Sequence, residues 1–289
     1  MKNQLKTVLL LGILSALLIW IGGAIAPGQL WVFVAIAGAM NLFAYFYSDK
    51  LVLKMYRAQE VSAQEAPDLH AIVRELANTA KIPMPRVFLI PDRQPNAFAT
   101  GRNPQHAAVA VTAGILQILD RRELRGVLAH ELAHVGNRDI LISTIAAVIA
   151  SAITTIAQVL SFGAMFGGRG GGDGDRSPLG GLALLIMAPI AATLIQLAIS
   201  RSRELQADAT GAKLSGDPEA LASALMKLER GAQAIPAQHV APATASLFIV
   251  NPFGALDRLS RLFSTHPPTA ERVRALREME HSSRYAHAY

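Results

Sequence analysis

Cysteine is absent from the 289 residues, which removes a disulfide framework, a thiolate metal site and a cysteine nucleophile at one stroke. Any metal must be held by His, Asp or Glu. Charge is scarce as well. With 17% charged residues, 52% hydrophobic residues and a mean hydropathy of +0.32, the chain is too apolar for an ordinary soluble globule and far from a disordered composition. The few charges are segregated: none occurs from Thr7 to Ser48, from Ile140 to Phe166 or from Pro178 to Ser200.

These empty stretches organise the chain. Pro27-Gly28-Gln29 divides the first into Thr7–Ala26 and Leu30–Tyr47, each about long enough for a hydrocarbon core of ~30 Å at ~1.5 Å per helical residue. This predicts a transmembrane hairpin, with Trp20, Trp31 and Tyr45 to Tyr47 suited to the membrane interfaces. The later pair, joined by the Gly-rich run 167–176, predicts a second hairpin. Ser143, Thr144, Thr154, Thr155, Gln158 and Gln196 make it less apolar, so a helical hairpin buried in protein is the alternative to a spanning one.

The formal charge of +6 is explained by topology rather than by a nucleic-acid partner. Lys2, Lys6, Lys50, Lys54, Arg57, Arg121, Arg122, Arg125, Arg138, Arg201 and Arg203 flank the apolar segments on one side, while the turn at Pro27 has no basic residue and the Gly-rich turn has Arg169 and Arg176. By the positive-inside tendency, both termini and residues 49–139 and 200–289 are cytoplasmic. The expected organisation is an N-terminal hairpin (1–48), a first soluble part (49–139), a second hairpin (140–200) and a second soluble part (201–289).

Within the soluble parts, Leu69, Ile72, Val73 and Leu76 give Ala66–Ala80 a helical period. Val87–Ile90 and Ala107–Val111 read as strands, and Asn96–Gly101 as an extra strand or a loop. Asp120 with Glu123 starts a helix running through His134, and Asp217-Pro218 starts another reaching about Gln233.

The helix after Asp120 carries His130-Glu131-Leu132-Ala133-His134. Imidazoles four residues apart lie on one helical face and are aimed at one point, the spacing used to hold zinc with the intervening Glu as general base. A catalytic zinc takes three protein ligands and leaves a position open. The third is sought on the same side of the membrane, and Glu204 lies where the fourth apolar segment ends. Two spans return the chain to the same side, so Glu204 can meet His130 and His134. Asp208, one turn further, is placed to receive a hydrogen bond from a non-ligating imidazole nitrogen. Glu131 is the candidate catalytic base. The plain alternative for Glu204 and Asp208 is a pair of surface charges partnered by Arg201 and Arg203.

At these residues the chain resembles the integral-membrane zinc metallopeptidases that include the bacterial HtpX-type heat-shock proteases and the CAAX prenyl proteases. The resemblance is carried by the N-terminal hairpin, Asn96–Gly101, His130–His134, Arg203-Glu204 with Ala207-Asp208, and His266-Pro267-Pro268 followed by Glu271-Arg272. It implies an α-helical membrane protein with an α+β zincin-like metallopeptidase domain, one zinc ion per chain and polypeptide substrates, unfolded or membrane-embedded. It also implies a stress-inducible quality-control endopeptidase, multi-pass in the bacterial inner membrane with its active site facing the cytoplasm.

Two further residues are candidates for contact with the reacting peptide. His266 is placed to stabilise an oxyanion if the fold brings it near, its alternative being a helix-entry residue before Pro267. Asn96 is expected to bind substrate if Asn96–Gly101, with Ala107–Val111, forms a strand edge open to an extended peptide; a hairpin with Phe98 in the core is the alternative. Against the enzyme stand a zinc-binding membrane scaffold or pseudoprotease and a transporter. The first lacks a use for Glu131 and for a three-ligand set. The second lacks an ionisable residue in the apolar segments.

Overall fold

The computed structural model describes residues 27–145, 201–234, 247–250 and 267–286, together with Leu9, Leu11, Gly12, Ser15, Ala16, Ile19 and Val148 as single positions. Most of the first expected span, the second hairpin beyond residue 148 with its Gly-rich turn, and His266 lie outside the described residues.

A 3-10 turn, Pro27–Gln29, leads into α1, Leu30–Met55. It is long and apolar enough to cross a membrane, and Trp31, Val34, Met40, Leu42 and Phe43 are exposed along it. The helix does not stop at Tyr47 but continues past Asp49 and Lys50, so the second expected span and the start of the first expected soluble part share one helix. The extra turns are held by burial. Val52 and Leu53 pack with Phe88, Ile90, Phe98, Ala108, Ala110 and Leu247.

Those partners come from a four-stranded sheet of β1 (Gln59–Glu60), β2 (Arg86–Ile90), β3 (Ala97–Gly101) and β4 (Ala107–Thr112), in the order β1-β2-β4-β3. β2 and β4 are parallel, with Val87 opposite Val109; β3 runs antiparallel to β4, with Ala99 opposite Val109. Side chains alternate across a strand, so Val87, Ala97, Ala99, Val109 and Val111 face the main core, while Phe88, Phe98, Ala108 and Ala110 face the end of α1. Every residue of β3 and β4 is buried, which explains why they lack polar alternation. The strand Ala107–Val111 is therefore not part of an edge, correcting the expectation from sequence: β4 is interior and β3 alone occupies that side.

Helices close the other face. α2 (Pro67–Ala80) buries Leu69, Ile72, Val73 and Leu76. The short α3 (Ala113–Ile118) follows β4 directly, and α4 (Arg121–Gly136) follows it, opening with a complete capping box between Asp120 and Glu123. α4 is almost wholly enclosed, and burial of Leu124, Val127, Leu128, Leu132 and Val135 stabilises it by about 1.5–3 kcal/mol per side chain. α5 (Arg201–Ser215) and α6 (Pro218–Ala234) pack against it, and α7 (Thr269–Ala286) packs on α5 and α6.

Glycine sets how closely α5 crosses α4. A Cβ on Gly211 would stand 2.7 Å from the His130 nitrogen and 2.8 Å from its Cα, so only glycine permits this approach. Glu204, Asp208 and Gly211 occupy successive turns of one α5 face. The close crossing brings the two carboxylates to the imidazoles of α4.

Candidate metal centre

His130 and His134 stack on one face of α4, with their Nε2 atoms 3.3 Å apart. Glu204 completes a triangle: Oε2 is 3.7 Å from His130 Nε2 and Oε1 is 3.6 Å from His134 Nε2. Tetrahedral zinc, with bonds of ~2.0–2.2 Å, separates neighbouring donor atoms by about 3.3–3.6 Å. The three side chains therefore fit a zinc-sized cation by spacing and by donor chemistry, two neutral nitrogens and one anionic oxygen.

Each imidazole has a carboxylate behind it. Asp208 Oδ1 is 2.9 Å from His130 Nδ1, off the axis of a linear N–H donor, and both oxygens of Asp139 are 3.1 Å from His134 Nδ1. Such contacts leave Nε2 free to ligate. Burial works against a charged His134, yet Glu204 and Asp139 push its pKa up to about 10, so a cation entering here displaces a proton. Asp208 is itself tied to Arg272 by two bonds of 2.7 Å. Burial would raise the Asp208 pKa, but the Arg272 guanidinium and His130 hold it well below the usual carboxylate range.

Glu131 points from the same helix toward the sheet, where Oε2 accepts the Ala99 N–H at 2.8 Å. Burial raises its pKa, against the pull of His130, His134 and that N–H. Ala99 donates outward from β3, whereas Asn96 accepts from Thr112 on the β4 side. By strand alternation Ala97, Ala99 and Gly101 turn their backbone groups to the edge. A cavity of about 40 Å³, room for a water or two, lies among Ala99, His130, Glu131, His134 and Glu204 under a roof of Leu247, Phe248 and Ile249.

The family model for peptidase family M48 matches residues 63–280. The chain belongs to peptidase family M48. Curated relatives described as "Protease HtpX homolog" match this M48 peptidase over its length. That of Burkholderia thailandensis is 53% identical over 288 residues, covering 99% of this chain and 100% of the relative. That of Burkholderia mallei strain SAVP1 is 52% identical with the same coverage. The crystal structure of S. mikatae Ste24p aligns with a TM-score of 0.52 at 20% identity, over 95% of this chain and 65% of that longer one, a likeness of fold. Family and relatives make this M48 peptidase a metalloprotease.

Asn96 stands elsewhere than the sequence reading placed it. Its side chain is 2% exposed, donates to the Leu247 carbonyl at 3.1 Å and accepts the Ile249 N–H at 3.2 Å. It clamps the roof rather than offering a free amide to substrate. Phe98 is buried in the cluster beside α1, and Thr100 faces Thr144. Three contributors escaped the sequence reading. Asp139 carries a signal, an acid five residues after His134. Arg272 lay in a quoted motif, but nothing showed that it would join Asp208 to the Ile249 carbonyl, 2.7 Å away. The roof, Leu247–Ile249, has no chemical signature at all.

Proposed function

We propose that this M48 peptidase is a membrane-integral zinc endopeptidase that cleaves misfolded or damaged membrane and cytoplasmic polypeptides at the cytoplasmic face of the bacterial inner membrane, within a stress-responsive quality-control system. The observation that carries the catalytic part is the zinc-sized triangle of His130, His134 and Glu204, with the buried Glu131 carboxylate beside it. Zinc, when bound, supplies Lewis acidity and water of lowered pKa. The protein's own groups do the rest. Glu131 accepts the proton of the attacking water and passes it to the leaving amine; the raised pKa from burial suits a group that must both take and give a proton.

The outward backbone of β3 supports a substrate bound as an added strand, held by the backbone of Ala97 and by the carbonyl of Ala99, whose N–H already serves Glu131, rather than by side chains, which favours broad sequence tolerance. His266, directly before the buried Pro267, is proposed as a donor to the developing oxyanion. The first hairpin is supported by Asn41, whose Nδ2 donates to Ser15 Oγ at 2.8 Å, the two residues lying thirteen positions either side of Gly28.

The test is the full-length protein in mild detergent, with metal analysis beside cleavage of an unfolded protein. Glu131→Gln is expected to keep its zinc and lose at least ~100-fold in turnover. Glu204→Ala is expected to lose the metal. Parental turnover in Glu131→Gln removes the proposed base, and a parent that holds zinc without cleaving anything favours the scaffold reading.

A further inference from the structure

The end of the sheet that carries the β3–β4 turn lies against α1 at its aromatic belt. The Arg102 guanidinium sits 5.3 Å over the Phe46 ring, and Lys50 Nζ lies 5.0 Å from the Tyr47 ring. Both rings are about half exposed. Among the described residues neither cation has a carboxylate within 4.0 Å. Arg102 is instead fixed from behind: its Nη2 donates to His106 Nε2 at 2.8 Å, while His106 Nδ1 donates to Asn103 Oδ1 at 2.7 Å. Gly101, at φ +138°, turns the chain sharply there, and a Cβ on it would meet the His106 carbonyl oxygen at 2.3 Å. A rigid turn thus holds out an uncompensated guanidinium at the level where aromatic rings mark a membrane interface.

From that level α1 and β3 run side by side in opposite directions. Phe46 meets Arg102 at one end, and Tyr56 lies 5.5 Å from Phe98 at the other. The strand therefore stands up from the interface with its turn at the foot. Ala99, whose N–H holds Glu131, is two residues above Gly101, about 7 Å at ~3.3–3.4 Å per residue.

We infer that the β3–β4 turn, through Arg102 with Lys50 beside it, docks on the phosphate of anionic lipid headgroups and stands the substrate edge upright on the bilayer. Arginine forks match phosphate oxygens, and a basic group on a negatively charged leaflet gains about fivefold in binding. The docking itself is independent of the peptidase reading. Its consequence rests on that reading: a polypeptide pairing with β3 enters from the membrane surface, and the bond cut lies within a few residues of where the substrate leaves the bilayer.

The chain has no cysteine of its own, so a fluorophore on Gln105→Cys, an exposed turn position, reports on the turn alone. The full-length protein is placed in vesicles of phosphatidylcholine, or of phosphatidylcholine with phosphatidylglycerol, each containing a headgroup spin-labelled lipid as quencher. Quenching is expected in both and stronger with phosphatidylglycerol. In the same vesicles, KM for a single-span substrate cut beside the membrane is expected to fall about fivefold with the anionic lipid, while turnover of a soluble peptide stays constant. Arg102→Glu should abolish both lipid effects and leave zinc content and soluble-peptide turnover unchanged; Arg102→Lys should restore much of each. An unquenched label, or an identical lipid response in parent and Arg102→Glu, overturns the docking. A wrong peptidase reading shows differently, as an intact lipid contact with no cleavage of either substrate.

Discussion

Two regions of this M48 peptidase treat charge in opposite ways. Around the metal centre acids and bases are set in buried pairs: Arg272 with Asp208, His134 with Asp139, and Glu204 against both imidazoles. At the foot of the sheet, Arg102 and Lys50 are answered by aromatic faces. Buried charge must be neutralised by geometry, and in return it fixes geometry; charge at the rim is stabilised mostly by its surroundings and says where the domain sits. The same residue type, arginine, serves orientation in one place and location in the other.

The sharpest way to break this contrast is to delete one cation of each kind. Arg272→Met strands the Asp208 carboxylate in the core and is expected to cost about 3–5 kcal/mol in denaturant unfolding, with weaker zinc retention. Asp208→Asn tests the same pair through pH. The folded pKa of Asp208 is depressed, so its contribution is complete above the unfolded value of ~3.9 and is lost as pH falls through the folded value. The acid limb of the stability curve should therefore be shallower in Asp208→Asn than in the parent; parallel limbs would show that the pair does not couple to folding. Gly211→Ala pushes α5 off His130 and is expected to cost about 1–3 kcal/mol and to lower metal affinity without touching a ligand. Smallest of all, Lys50→Gln should change stability by less than about 1 kcal/mol.

The parts of the molecule that repeat or ligate were legible in the sequence. The 3.6-residue period of α2, the capping box of α4 and the imidazole spacing of His130 and His134 are local, and Glu204 was sought where an expected hairpin would return the chain to the same side; its carboxylate lies against both imidazoles. Strand order was not legible, because Ala107–Val111 and Asn96–Gly101 are both apolar and only pairing decides which one is the edge. Asn96 was misplaced for a related reason. An amide at the mouth of a candidate strand looks available until a segment 151 residues away is found lying across it.

That clamp also sets a calendar for the protease. Asn96 closes on Ile249 across 153 positions, and Arg272 reaches back 64 positions to Asp208. During synthesis α4 emerges long before the residues that roof it and neutralise its surroundings, and contacts so distant in sequence form late. Until Glu204, seventy positions after His134, and then Leu247–Ile249 have been made, the half-made chain holds both histidines and Glu131 without the carboxylate that joins the imidazoles and without a roofed cleft.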